Sequence, residues 1–261
     1  KRGITLDPST SQGTALFHQL VSDADIFVEN GPPSSLANHL LAYDALKEIN
    51  PGLIMVSITP FGQTGPYRDY VIYDLNIWHA SGWGYLWRER GADGEPGRPV
   101  KAPPYMASFQ ASYNALTAAL GALYCRDYLG GEGQHIDVSE QEVMAFILAT
   151  GFPIYNEESR IQGKDISIPA TVPSGVLPCR DGHVLLSVIE PHQWSGLAEM
   201  LGNPDWSRDD WTETIEGRRL NYDVVNAFLM EWLEDKDMNW VVDTAIKHRI
   251  PSSPVGITAE N

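Results

Sequence analysis

The residues whose types and placement could do chemistry gather at three turns: Asn30 with Gly31-Pro32-Pro33, the loop Thr59-Pro60-Phe61-Gly62-Gln63-Thr64-Gly65-Pro66-Tyr67, and Ser108 at the start of a long apolar segment. Asn30 and the glycine-containing loop each follow a run that reads as a buried strand, and ligands of parallel sheets gather at those carboxyl ends. Ser108 follows Pro103-Pro104, where a helix would begin. A helix amino end presents free N–H groups and a partial positive charge suited to an anion or an oxyanion.

Better-known constellations are absent. There is no H-E-x-x-H and no C-x-x-C, and the seven histidines are scattered, so no metal site is expected. Neither Gly82-Trp83-Gly84 nor Gly131-Glu132-Gly133 continues to a third glycine, which removes the dinucleotide fingerprint. Gly163-Lys164 lacks the rest of a P-loop, and Ser81, preceded by His79-Ala80, is no nucleophile elbow. His79 and His135 read as structural.

The elements that must hold these turns follow a βαβ rhythm. Ile4-Thr5-Leu6 reads as an opening strand, and Ser9-Thr10-Ser11-Gln12 as a capping box before a helix that buries Leu16, Phe17, Leu20 and Val21. Asp25 to Asn30, Leu53 to Ile58 and Gln134 to Val138 read as strands, and Tyr73 to Ser81 as a helix. Phe109, Tyr113, Leu116, Leu120 and Leu123 recur at helical spacing with alanines between them, which predicts a buried helix whose alanine faces admit close packing. Gly91 to Pro104 reads as a loop, and Ser139 with Glu142 as the cap of a helix. From about Gly151 the rhythm stops. Strands flanking Asp181-Gly182 predict a hairpin, and helices are expected over Glu190 to Leu201, Tyr222 to Leu233 and Met238 to His248. Asp205 to Glu216 reads as a solvated loop. The expected organisation is an open, mostly parallel α/β sheet with helices on both faces over residues 1–155 and a smaller α+β domain over 156–261.

The 261 residues carry a formal charge of −16, which argues against nucleic-acid or anionic-membrane partners, and no apolar run reaches the roughly eighteen residues of a membrane span. Cys125 and Cys179 fit no metal or redox spacing and read as reduced thiols of a cytoplasmic protein. The chain opens at Lys1 without methionine, as if inside a domain.

Ordered segments along the chain share a pattern. Lys1 to Asp7, Asp25 to Asn30, Asn50-Pro51, Phe61 to Tyr67, Tyr73-Asp74-Leu75, Gly133 to Ser139, Gly182 with Gln193-Trp194 and, near the end, Arg249-Ile250-Pro251-Ser252-Ser253-Pro254-Val255 together resemble the class III CoA-transferases, the CaiB/BaiF group typified by formyl-CoA transferase and containing the α-methylacyl-CoA racemases. The resemblance implies a Rossmann-like large domain, a smaller inserted domain, an interlocked dimer, and a chain that is a fragment of a longer protein. Coenzyme A enters as part of an acyl-CoA substrate, with a carboxylic acid as acceptor and no tightly bound cofactor.

In that family an aspartate attacks the thioester to give a mixed anhydride, and CoA thiolate then returns to form an enzyme thioester. A carboxylate is needed because only an acid's oxygen yields an anhydride reactive enough to exchange both ways. Aligned through Pro99-Val100-Lys101 and Ala107, that aspartate falls on Ser108. The racemase variant also places a histidine where Tyr73 stands, so racemisation is disfavoured. Asp74 matches an acidic neighbour of the catalytic position and is the one base the sequence offers Ser108. By the same resemblance Lys1 and Arg2 lie near the CoA phosphates, and Asn30, Phe61, Gly62, Tyr73 and Met106 line the CoA site; Gly31 and Asn38 stand where the family has an aromatic and an arginine. Two outcomes are open: a transferase with an altered nucleophile, or a non-catalytic CoA-binding or structural half of a tandem protein.

Overall fold

The structure, a computed structural model, describes residues 2–34, 41–90, 96–148, 151–159, 161 and 171–256. The chain divides into two compact units, Lys1–Lys164 and Asp165–Asn261.

In the first unit α1 (Ser11–Ser22), β1 (Ile26–Glu29), α2 (Tyr43–Ile49) and β2 (Ile54–Thr59) alternate. Next come α3 (Asp74–Ala80), the single turn α4 (Trp83–Leu86) and the short hairpin β3 (Arg88–Arg90) and β4 (Pro96–Pro99). The long helix α5 (Met106–Tyr128), β5 (His135–Ser139), α6 (Glu140–Phe146) and α7 (Gly151–Glu158) complete the unit. β1, β2 and β5 form a parallel sheet in that order, with Ile26 opposite Ile54 and Met55 opposite His135. β2 lies between the other two and is covered on both faces, which is why its sequence is a continuous apolar run rather than an alternating one. Ile54 and Val56 pack on Ala111, Ala115, Ala119 and Ala122 of α5. Met55 and Leu53 pack on the other face with Val21 of α1 and Leu46 of α2.

The second unit is an antiparallel sheet of β6 (Ser174–Cys179), β7 (Gly182–Ser187) and β8 (Ser252–Pro254), with α8 (Pro191–Met200), α9 (Ile215–Leu220), α10 (Tyr222–Leu233) and α11 (Met238–Lys247). Its core joins Val184 and Leu186 of the sheet to Trp194, Leu197, Leu229 and Val241. No helix among the described residues is long and apolar enough to cross a membrane, and Cys125 and Cys179 are free thiols.

Five expectations change. Within Gly91 to Pro104, read as a loop, Pro96–Pro99 forms β4, because it pairs antiparallel with β3. Ile4-Thr5-Leu6 forms no strand, and Ile4 is 69% exposed, because no strand among the described residues pairs with it. The cap of α1 is Thr10, whose side chain accepts from the Gly13 backbone N–H at 3.0 Å, one residue beyond the predicted position. The region from Asp205 to Glu216 contains two 3₁₀ turns and the start of α9, with Ser207 and Thr212 buried. Arg218 organises this region: its Nε donates to the Val172 carbonyl at 2.7 Å, its Nη1 donates to the Thr212 carbonyl at 2.6 Å, and the guanidinium lies over the Trp194 ring. Finally, α5 buries its alanines and exposes its large residues: Phe109, Tyr113, Leu116 and Leu120 are all more than half exposed, as are Tyr124 and Tyr128. Small side chains are what let the helix backbone lie close against the sheet; the bulky stripe is left pointing outward.

Candidate functional site

Because β1, β2 and β5 are parallel, Asn30, the loop after Thr59 and the start of α6 all lie at the same carboxyl edge of the sheet. β5 runs directly into α6, whose cap is Ser139; its Oγ accepts from the Glu142 N–H at 3.2 Å. The Gln141 N–H donates to the Pro60 carbonyl at 3.1 Å, tying the first turn of α6 to the end of β2. Glu140 is thereby held at the junction of both strands with α6.

Ser108 lies in the first turn of α5. Its Oγ donates to Glu140 Oε1 at 2.9 Å. Asp74, the first residue of α3, reaches the same turn: its Oδ1 accepts from the Ala107 N–H at 2.8 Å and from the Ser108 N–H at 3.3 Å. The N-cap residue Tyr105, in the left-handed region at φ 65°, provides no side-chain cap of its own. Asp74 therefore caps α5 across the fold rather than accepting the Ser108 hydroxyl. The partner of that hydroxyl is Glu140, which sequence reading passed over. Burial pushes the Glu140 carboxyl up, with the nearby Asp74 charge adding to the rise and the Ser108 hydrogen bond opposing it.

The loop after β2 is pinned beside this pair. Both oxygens of Asp137 accept from the Gln63 N–H, at 3.1 and 2.9 Å. Gly62 has φ +81°, and a Cβ there would stand 3.4 Å from the Asp137 carboxylate, so the left-handed turn favours glycine. Phe61 lies 5.5 Å from the Tyr67 ring and 6.2 Å from that of Tyr70. Met106 lines an apolar cavity of about 470 Å³ with Trp78, Trp83, Trp87, Met144 and Ile147. Ser108 and Glu140 are not part of its lining, though Met106 and Met144 belong to their helices.

The structure thus brings Asp74 and Ser108 together, adds Glu140, and places Phe61, Gly62 and Met106 on the loop and helix adjoining them. Arg2 and Asn30 are exposed, as is the side chain of Tyr73, whose backbone N–H donates to Asn76 Oδ1 at 3.1 Å. Lys1 and Asn38 lie outside the described residues. Among the described residues no group of three or more His, Cys, Asp or Glu is placed to hold a metal ion.

Comparison with known proteins identifies the family and the fold. The pattern of CoA-transferase family III matches residues 1–260. The chain is 31% identical to a succinate–glutarate CoA-transferase of Agrobacterium fabrum, aligned over 100% of this chain and 64% of that protein. It is 30% identical to the alpha subunit of a succinyl-CoA–L-malate CoA-transferase of Chloroflexus aurantiacus, over 100% and 60%. It therefore spans about three-fifths of the length of these relatives. A crystal structure of a CaiB/BaiF family protein from Brucella suis superposes with a TM-score of 0.76 at 29% identity, covering 100% of this chain and 68% of that one. A second crystal structure, of a protein from M. tuberculosis, shares the fold with a TM-score of 0.84 at 22% identity, over 100% and 67%. With its parallel sheet, its carboxyl-edge site and a match over nearly every residue, the chain belongs to CoA-transferase family III.

Proposed function

We propose that this chain carries the reaction site of an enzyme that moves CoA between an acyl-CoA thioester and a carboxylic acid. The observation that carries the reading is the cluster at the carboxyl edge of the sheet, where Ser108, standing at the family's aspartate position, has one carboxylate on its hydroxyl and a second on its backbone N–H. A serine alone would make an oxygen ester, too unreactive to hand its acyl group to a carboxylate; a neighbouring carboxylate restores the reactivity that exchange requires. Arg2, Asn30, Phe61, Gly62, Tyr73 and Met106, with Lys1, form the CoA side of the site in this reading, and acyl-CoA is a substrate rather than a resident cofactor.

The relatives named above supply the first compounds to try. The encoded protein is incubated with succinyl-CoA and, separately, with short acyl-CoAs, each with glutarate, malate and other small carboxylic acids, and the CoA esters are separated by chromatography. Appearance of the acceptor's CoA ester supports the reading. If no donor and acceptor pair exchanges, the chain is the non-catalytic half of a larger assembly.

The partner in this reading is a second copy of the chain. Supporting it, the outward stripe of α5 sets Phe109, Tyr113, Leu116, Leu120, Tyr124 and Tyr128 along one 23-residue helix. An apolar face of that length is unusual on a surface that faces only water.

A further inference from the structure

We propose that the nucleophile of the CoA transfer is the Glu140 carboxylate, with Ser108 acting as the hydroxyl that positions it. The proposal rests on the transferase reading above and assigns its central residue.

Three side chains compete for the role. The Ser108 hydroxyl is committed as a donor to Glu140, and as a nucleophile it would form an ester that an acceptor carboxylate attacks only uphill, to an anhydride. Asp74 has one oxygen occupied by two backbone N–H groups at the amino end of α5, so its carboxylate is engaged as the helix cap. Glu140 differs from both. Its Oε1 is fixed by the 2.9 Å bond from Ser108. No described residue hydrogen-bonds its Oε2, and the residue is only half-buried, which leaves that oxygen as the one a substrate can meet. Partial burial raises its basicity, the direction a nucleophile needs.

The geometry explains how a carboxylate could be lost from one helix and recovered from another. Ser108 and Glu140 lie 32 residues apart, on α5 and α6, which pack against each other at the sheet edge. A glutamate at the first position of α6 reaches the first turn of α5 with its carboxylate, and the short serine leaves room for it. A larger acidic residue at 108 would instead bring two carboxylates into contact, with Asp74 as a third.

The step balances without an external base or redox partner. Glu140 Oε2 attacks the thioester carbonyl carbon; the C–S bond breaks, CoA leaves as thiolate, and a mixed anhydride forms. The thiolate attacks Cδ of Glu140, the anhydride C–O bond breaks, and the donor acid departs as its carboxylate, leaving a glutamyl-CoA thioester. The acceptor carboxylate attacks that Cδ and expels the thiolate, giving a second anhydride. Attack of the thiolate on the acceptor's acyl carbon releases the new acyl-CoA and regenerates Glu140. Every covalent species is an anhydride or a thioester, so the sequence runs in both directions.

The test uses the encoded protein, succinyl-CoA as probe, and hydroxylamine or borohydride to trap the acyl-enzyme before peptide mass spectrometry. The expected label is on Glu140. Glu140→Gln is expected to lower exchange by at least about a thousandfold with an unchanged circular dichroism spectrum. Ser108→Ala, which removes only the positioning hydroxyl, is expected to keep the label on Glu140 and to lower kcat more than it raises KM. A label on Ser108 or Asp74, or exchange that survives Glu140→Gln, would overturn the assignment while leaving the transferase reading intact. Absence of exchange by the unaltered protein across the acyl-CoA panel overturns the transferase reading and this one with it.

Discussion

Removing the carboxylate that caps α5 gives a sharp test of how the site is held. In Asp74→Ala, the Ala107 and Ser108 N–H groups lose the acceptor that now lies at 2.8 and 3.3 Å. Tyr105 has no side-chain cap to replace it. Loss of a capping side chain costs about 1 kcal/mol, and loss of a negative charge at a helix amino end costs about 0.5 kcal/mol more. Relief of the repulsion between Asp74 and Glu140 returns a few tenths at most, as expected for partly exposed groups. The net loss is about 1.2 kcal/mol, or nearly tenfold in the opening equilibrium of the first turn. Native-state hydrogen exchange reads this directly: the amides of Ala107 through Gln110 should exchange about ten times faster than in the unaltered protein, while those of β2 hold. Asp74→Asn keeps an oxygen acceptor and forfeits only the charge, so it should recover more than half of the protection. Protection within twofold of the original in Asp74→Ala, or equal damage from both variants, would refute the capping role assigned here.

Other consequences can be checked alongside. The folded-state pKa of Glu140 is raised, so its ionisation opposes folding. Stability is unaffected by it below about pH 4, near the unfolded value, and falls as pH rises through the higher folded value. Glu140→Gln should therefore match the unaltered protein in melting temperature at pH 4 and exceed it increasingly toward neutrality; a constant difference across this range would contradict the burial argument. Replacing Leu116 and Leu120 of the outward stripe with glutamate should shift the protein toward monomer in sedimentation at micromolar concentration without lowering its melting point by more than about 1 kcal/mol equivalent; an unchanged assembly would remove the stripe from the interface. Arg218→Met strands the Val172 and Thr212 carbonyls and should destabilise the second unit by about 2–4 kcal/mol, measured by urea unfolding. A change below 1 kcal/mol would show that water replaces the guanidinium.

Several elements could be read without coordinates because their causes are local. Leu53 to Ile58 is a continuous apolar run, the mark of a strand covered on both faces, and β2 is such a strand. Asp181-Gly182 between two apolar segments produced the β6–β7 hairpin. Ser139 with Glu142 marked the start of α6. Ile4-Thr5-Leu6 failed for the opposite reason: extended propensity makes a strand only where another strand supplies hydrogen bonds.

The orientation of α5 and the composition of the site belong to the second class. Large and small apolar residues alternate around α5, so periodicity shows a helix without saying which face turns inward; contact with β2 and β5 selects the alanines because only they permit close approach. Ser108 and Asp74 could be named from the chain by family resemblance, since each stands in a recognisable segment. Glu140 could not. In sequence it is one of two acids in the first turn of a helix, a common place for negative charge. Its bond to Ser108 exists only because the parallel register of β2 with β5 sets the start of α6 beside the first turn of α5, across 32 residues of chain. The sequence alone determined the family and the strands of the parallel sheet; tertiary structure decided which carboxylate stands beside Ser108.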